Sequence, residues 1–264
     1  MKSGNWQQAE LLLDKELSAA EPAPRALYWK AYVQFRTERY RESVSLLREH
    51  LGRNPDDAQA RKLLGLDLFM VGDAAGSQAE LERAVKPLPG DEEARYYLGR
   101  VYFSRQNMPA ALATFKEVIQ IEPRSVRAYN HLGQTYEALN EFERAQEAYE
   151  KAIAIDRTAA RRSEWPHYNL GVLHVKAGKA EEGLPHLREA LQVQPKFGQG
   201  RTQLAVALAM LAQTEQAKAE LEALISDEPS NADAHYQLGR LLLKTGDRAK
   251  AREHLLAFER LKQK

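Results

Sequence analysis

A small residue recurs along this chain at one nearly fixed interval, and that period constrains the fold more than any other feature. Ala31, Gly65, Gly99, Gly133, Gly171, Ala205 and Gly239 follow one another at steps of 34, 34, 34, 38, 34 and 34 residues. Leucine precedes the small residue at positions 64, 98, 132, 170, 204 and 238, with Lys30 in the first unit. Twelve residues after it stands a second small column: Ser43, Ser77, Ala111, Ala145, Gly183, Ala217 and Ala251. Four further on comes a bulky one: Leu47, Leu81, Phe115, Tyr149, Leu187, Leu221 and Leu255. Proline closes five units, at 55, 89, 123, 195 and 229, and Arg157 takes its place in the fourth. Self-similarity at such a period marks stacked supersecondary units.

Each column has a physical reason. Apolar residues run at helical spacing on both sides of a short turn, as in Leu98 and Tyr102, then Ala111, Phe115 and Val118. Polar or glycine-bearing pairs mark the turns: Gly72-Asp73, Gln106-Asn107 and Gly246-Asp247. The small columns let two helices approach, and the bulky column fills the space beside them. Proline cannot continue a helix, so it ends the second helix of a pair. The pattern predicts an all-α chain of seven helical hairpins. These columns resemble the tetratricopeptide repeat, Trp-x2-Leu-Gly-x2-Tyr, then Ala-x3-Phe, then Pro. The unit YYLGRVYFSRQNMPAALATFKEVIQIEP is a close match. The resemblance covers nearly the whole chain and extends to bacterial-type arrays and the superhelix of O-GlcNAc transferase. It implies a single α-solenoid over residues 1–264, wound into a curved right-handed superhelix, with repeats starting near 24, 58, 92, 126, 164, 198 and 232.

Two departures stand out. Four extra residues lie between the fourth and fifth units, near 158–163 in RTAARRSEWP. They amount to roughly one helical turn and are expected in the second helix of the fourth unit or the loop after it. Ser163 fits an N-cap, and Pro166 the first turn of the following helix. The second departure is the start. Gly4-Asn5-Trp6 fits the turn inside a unit, and Ala9, Leu13 and Leu17 its second helix, so residues 1–23 read as a half repeat. This suggests the C-terminal part of a longer protein. The unpartnered helix, with Trp6, Leu12, Leu13 and Leu17, would offer an apolar surface for a homodimer. At the far end, the aliphatic column Leu51, Val85, Ile119, Ile153, Leu191 and Ile225 finishes in Glu259, which suits a capping repeat that meets water.

Composition narrows the chemistry. Lys and Arg number 38 against 37 Asp and Glu, a net charge of +1, and phosphate binding favours a basic surplus. Nucleic acid is therefore not expected as the partner. The chain has no cysteine, hence no thiolate nucleophile or zinc ligand. It carries no glycine-rich phosphate loop and no HExxH signature, so no catalytic residue, metal or cofactor is expected. His167 and His174 fall on core-packing slots. Arg157, Arg161 and Arg162 read as a solvated linker or a docking point for an acidic partner. The best apolar run, Leu204 to Ala212, is far shorter than the roughly 18 residues a membrane span needs. The N-terminal residues hold no apolar signal core, which fits a cytoplasmic protein, or an exported one whose signal lay upstream.

What remains is binding. The resemblance implies that the first helix of each pair lines an inner surface. On that basis the inner slots of the first three units hold Tyr28, Tyr32, Phe35, Phe69, Met70, Tyr96, Arg100 and Phe103. Trp29 and Tyr97 fall on the same face and are expected to pack between helices. Aromatics and arginine dominate interface energetics. Two residues before the small slot stand His131, Asn169, Gln203 and Gln237 in successive units. They resemble the asparagine ladder of the O-GlcNAc transferase superhelix, and an amide matches both the C=O and the N–H of a peptide backbone. A chaperone-type carboxylate clamp would need Asn one after the small slot, where the chain has Tyr32, Leu66, Arg100, Gln134, Val172, Val206 and Arg240. The expected function is a non-catalytic scaffold whose concave groove holds a protein or extended peptide segment. The alternative is a regulatory or substrate-recruiting arm of an enzyme whose catalytic domain lies upstream.

Overall fold

Helix caps and turns appear at the repeat period in the computed structural model, which describes residues 4–21 and 23–263. Met1 to Ser3, Pro22 and Lys264 lie outside the described residues, including parts of the N-terminal half repeat. Contacts divide the chain into two compact units, Met1–Leu139 and Asn140–Lys264. The first holds α1 (Gly4–Leu17), α2 (Ala26–Arg36), α3 (Tyr40–Arg53), α4 (Ala58–Met70), α5 (Ala74–Ala84), α6 (Glu92–Ser104), α7 (Met108–Ile121) and α8 (Val126–Ala138). The second holds α9 (Phe142–Asp156), α10 (Trp165–Lys176), α11 (Ala180–Val193), α12 (Gly198–Met210), α13 (Thr214–Asp227), α14 (Ala232–Thr245) and α15 (Arg248–Lys262). No strand occurs among the described residues, and none of their helices is long and apolar enough to cross a membrane.

In the first unit, side chains of Asp57, Asp73, Asp91 and Asn107 accept backbone N–H bonds at the starts of α4, α5, α6 and α7. Asn231 and Asp247 do the same for α14 and α15 in the second. The small column then sets the spacing of each pair. A Cβ at Gly65 would lie 2.6 Å from Leu81 Cγ, and one at Gly99 2.7 Å from Phe115 Cε1. In the second unit the same test brings Gly171 and Gly239 to 2.8 Å from Leu187 and Leu255. The bulky residue of the second helix thus sits directly on the small residue of the first. In the first two hairpins a serine adds a tie that the spacing alone did not show. Ser43 Oγ donates to the Ala31 carbonyl at 2.9 Å, and Ser77 Oγ to that of Gly65 at 2.7 Å.

The turns share a backbone feature too. The residue seven after the small slot has positive φ at Glu38, Gly72, Gln106, Asn140, Gly178, Ala212 and Gly246. Four of these are not glycine, and the left-handed region strains a Cβ. Helix α1 packs on α2, with Trp6, Leu13 and Leu17 half-buried, while Leu11 and Leu12 are exposed. Glu259 is exposed.

The insertion falls in the connection after α9 and leaves that helix close to the length of its counterparts. Asp156, at the end of α9 and buried, accepts from the Ser163 N–H at 2.9 Å and faces Arg162 Nε at 3.6 Å. The loop is thereby folded back onto its own helix. Pro166 takes the first turn of α10. Glu164 holds the N-cap position without a side-chain bond, and the Ser163 hydroxyl one residue earlier accepts from the Trp165 N–H at 3.4 Å.

Two stability outcomes follow from these contacts. Gly99→Val drives two methyls into Phe115 and is expected to destabilise by roughly 1–3 kcal/mol. Ala212→Gly removes a strained Cβ in a turn and is expected to stabilise by roughly 0.5–1 kcal/mol. Urea-unfolding midpoints at constant m-value measure both.

Candidate binding surface

First helices lie side by side within each unit: α2 with α4, α4 with α6 and α6 with α8 in the first, α10 with α12 and α12 with α14 in the second. A row of first-helix side chains therefore forms a continuous face in each unit.

In the first unit this face opens at an aromatic group around Tyr32. The ring packs at 6.3 Å from Trp6 and 6.1 Å from Trp29, whose side chain is 49% exposed. Tyr28 is half-buried between Trp29 and His50, with the Arg25 guanidinium 4.4 Å above its ring. Phe35 is half-buried and bridges the apolar clusters beneath α2–α4 and α4–α6. Phe69 and Phe103 are half-buried and Met70 is exposed. Arg100 of α6 lies over the Phe69 ring of α4 at 4.5 Å and beside Tyr97 at 5.3 Å.

Tyr96 and Tyr97 exchange the places expected from their spacing. Tyr96 is buried, and Tyr97 is the half-buried member of the surface, packed on Phe69 at 5.6 Å. The reason is His131 on α8. Its ring stacks on Tyr96 at 5.4 Å, 19° from parallel, and its Nε2 lies 3.3 Å from the Tyr96 hydroxyl. Arg127 covers the same tyrosine at 4.2 Å while its charge is met by Glu92. His131 is half-buried, with one ring face packed on Tyr96. Burial, then Arg100 and Arg127, push its imidazole down to about 4.

In the second unit the remaining ladder residues divide. Asn169 is buried. Gln203 lines a cleft of about 140 Å³ with Tyr168, Thr202 and Asn231. Gln237 lines a larger one of about 290 Å³, whose floor is Val206, Ala209 and Met210 of α12 and whose rim includes Arg240 and Lys244 of α14. Sequence reasoning named Arg240 only in arguing against a carboxylate clamp and did not reach Lys244, although Tyr96-x-Leu98-Gly99-Arg100 and Tyr236-x-Leu238-Gly239-Arg240 repeat one motif. It also passed over Trp165, 40% exposed and packed on Tyr168 and Phe197. His167 and His174 are buried, His167 facing His186 with Nδ1 atoms 3.3 Å apart. Among the described residues no cluster of three or more His, Asp or Glu is arranged to hold a metal ion.

The comparisons agree with this architecture. Tetratricopeptide repeat models match residues 91–158, and 174–230 with 216–258. The model of anaphase-promoting complex, cyclosome, subunit 3 matches residues 2–73. Among solved structures, PilF of Pseudomonas aeruginosa is 20% identical with a TM-score of 0.67, over 80% of this chain and 93% of its own. A tetratricopeptide repeat protein of Parabacteroides merdae is 13% identical with a TM-score of 0.71, over 96% and 93%. YrrB, described as a TPR protein with an unusual peptide-binding site, is 22% identical with a TM-score of 0.53, over 69% and 91%. No curated protein sequence matches the chain. The chain belongs to the tetratricopeptide repeat family, whose members generally serve as protein-interaction scaffolds.

A pH outcome tests the Tyr96–His131 layer. With a folded value near 4 against about 6.5 unfolded, His131 binds its proton more readily in the unfolded chain. Its contribution is full above about pH 6.5 and is lost as pH falls toward 4. His131→Gln is expected to remove on the order of 2 kcal/mol of the stability lost between pH 7 and 5. In the unsubstituted chain the His131 ring resonances should stay those of a neutral imidazole at pH 5.

Proposed function

We propose that this chain is a non-catalytic scaffold that holds a protein partner through an extended peptide segment laid along its first helices. The observation that carries the reading is the half-buried aromatic row of the first unit, Tyr32, Phe35, Phe69, Tyr97 and Phe103, crossed by Arg100. Such side chains keep apolar area in reach of solvent with few rotatable bonds, so a ligand buries them at small entropic cost. In the second unit Gln203 and Gln237 each line a cleft, where a carboxamide can donate to and accept from one peptide unit. Each such bond contributes about 0.5–1.5 kcal/mol, enough to select a register on a segment that apolar contacts hold. YrrB, a protein of similar fold, is described as having a peptide-binding site, which supports the reading.

The test is selection from a displayed library of short random peptides. The unsubstituted chain is expected to enrich particular sequences, and Phe69→Ala with Phe103→Ala to lose them while keeping its helical circular dichroism. Equal enrichment by the two chains would remove the aromatic row from the function.

A further inference from the structure

The arginines of the first helices fall into two kinds, and the repeat position decides which. At the slot four before the small residue, Arg61, Arg95 and Arg201 reach Glu80, Glu117 and Asp227 at 2.8, 3.1 and 2.9 Å. These are structural ties between helices. At the slot one after it stand Arg100 and Arg240, and neither forms an ion pair among the described residues. Each leans instead toward the tyrosine four residues earlier on its own helix, Arg100 at 5.8 Å from Tyr96 and Arg240 at 5.6 Å from Tyr236.

Both unpaired guanidinium groups border apolar ground. Arg100 lies across Phe69 and Tyr97. Arg240 stands over the cleft floored by Val206, Ala209 and Met210, with exposed Lys244 one turn further along α14 and Gln237 just before it. Lys244 has no ion-pair partner among the described residues either. A guanidinium on an aromatic face is weakly hydrated and offers a planar fork to a carboxylate. With the whole chain near charge balance, these are local excesses and not a general basic surface.

We propose that the twin Tyr-x-Leu-Gly-Arg motifs are carboxylate-reading points, each binding an acidic segment with aspartate or glutamate beside a large aliphatic side chain. This rests on the peptide-binding reading and specifies its ligand. At Arg240 the aliphatic side chain enters the cleft of α12 and α14, the carboxylate meets Arg240 and Lys244, and Gln237 takes a backbone group. At Arg100 the apolar contact is Phe69 with Tyr97. Charge complementarity favours an acidic peptide over nucleic acid, whose binding rests on many phosphate contacts.

The displayed random-peptide library again supplies the probe, and enriched peptides are resynthesised with Asp and Glu changed to Asn and Gln. The expected result is enrichment of acidic-aliphatic sequences. Their affinity should fall about tenfold or more in Arg100→Gln with Arg240→Gln, and be partly retained in the Lys variants. The amide-substituted peptides should bind the unsubstituted and Gln-variant chains alike. Arg240 is exposed, so Arg240→Gln carries the test alone if the double variant fails to fold. Enrichment of neutral or basic peptides that is still lost on Phe69→Ala overturns the carboxylate reading and leaves the groove standing. Peptide enrichment indifferent to Phe69 and Phe103 overturns the groove reading, and this inference with it. Arginine-dependent binding of a single-stranded oligonucleotide, with no peptide enriched, overturns both.

Discussion

How closely the two helices of a hairpin approach at the small column determines most of what each unit can do. Leu81, Phe115, Leu187 and Leu255 each rest on a glycine that has no room for a Cβ. Interiors packed at crystal-like density transmit such a contact to every neighbour. With the contact in place, the second helix covers one side of the first, and the next hairpin covers another. The residues two before and one and four after the small slot are left as the remaining face, which is why aromatics and cations recurring there form a surface.

The repeat, its columns and the starts of the first helices were legible because each rests on a local rule that recurs in phase. The candidate surface was less legible. Neighbouring residues on a helix point about 100° apart, so Tyr96 and Tyr97 both border the inner face. Which one turns inward was decided by His131 on the next helix, a partner thirty-five residues away. Asn169 sits in the ladder column but is buried, whereas Gln203 and Gln237 line clefts. The left-handed turn column was hidden for another reason. Glu38, Gln106 and Ala212 occupy it without announcing it, whereas glycine and, more weakly, Asn140 carry that information in their identity.

Buried polar groups show a second use of the repeat. The slot four before the small residue faces the one fifteen after it across the hairpin. In the second repeat that pair is Arg61 with Glu80, in the fifth His167 with His186, and in the seventh His235 with His254, the last with Nδ1 atoms 3.0 Å apart. Two imidazoles at this distance share one proton between facing nitrogens, and burial with a neighbouring histidine lowers His167, His186 and His254. One geometric slot thus takes an ion pair, two facing imidazoles or, in the first repeat, the apolar Leu27 and Leu46. Asp67 has no such counterpart. It is fully buried, the Ser43 hydroxyl beside it donates to the Ala31 carbonyl, and burial raises it to about 7 against the lowering pull of Ser43. Five of its six counterparts, Val33, Val101, Leu173, Ala207 and Leu241, are apolar and the sixth is Thr135, so the column predicts no carboxylate there.

The same reasoning separates scaffold from surface among the cations. An arginine whose charge is already met by a carboxylate of the same chain has little left for a ligand, and displacing that partner would expose a half-desolvated acid. Arg61, at 2.8 Å from Glu80, is of this kind. An arginine stacked on rings is held in place without being neutralised, because the quadrupole of a ring attracts the cation but does not carry a compensating charge. Arg100 over Phe69 and Arg240 near Tyr236 are therefore oriented and still electrostatically available. Position within the repeat, more than residue type, distinguishes the two roles. Opposite a second-helix acid, arginine ties the hairpin together; one residue past the small slot, with aromatic support and no acid in reach, it faces outward with its charge unmet.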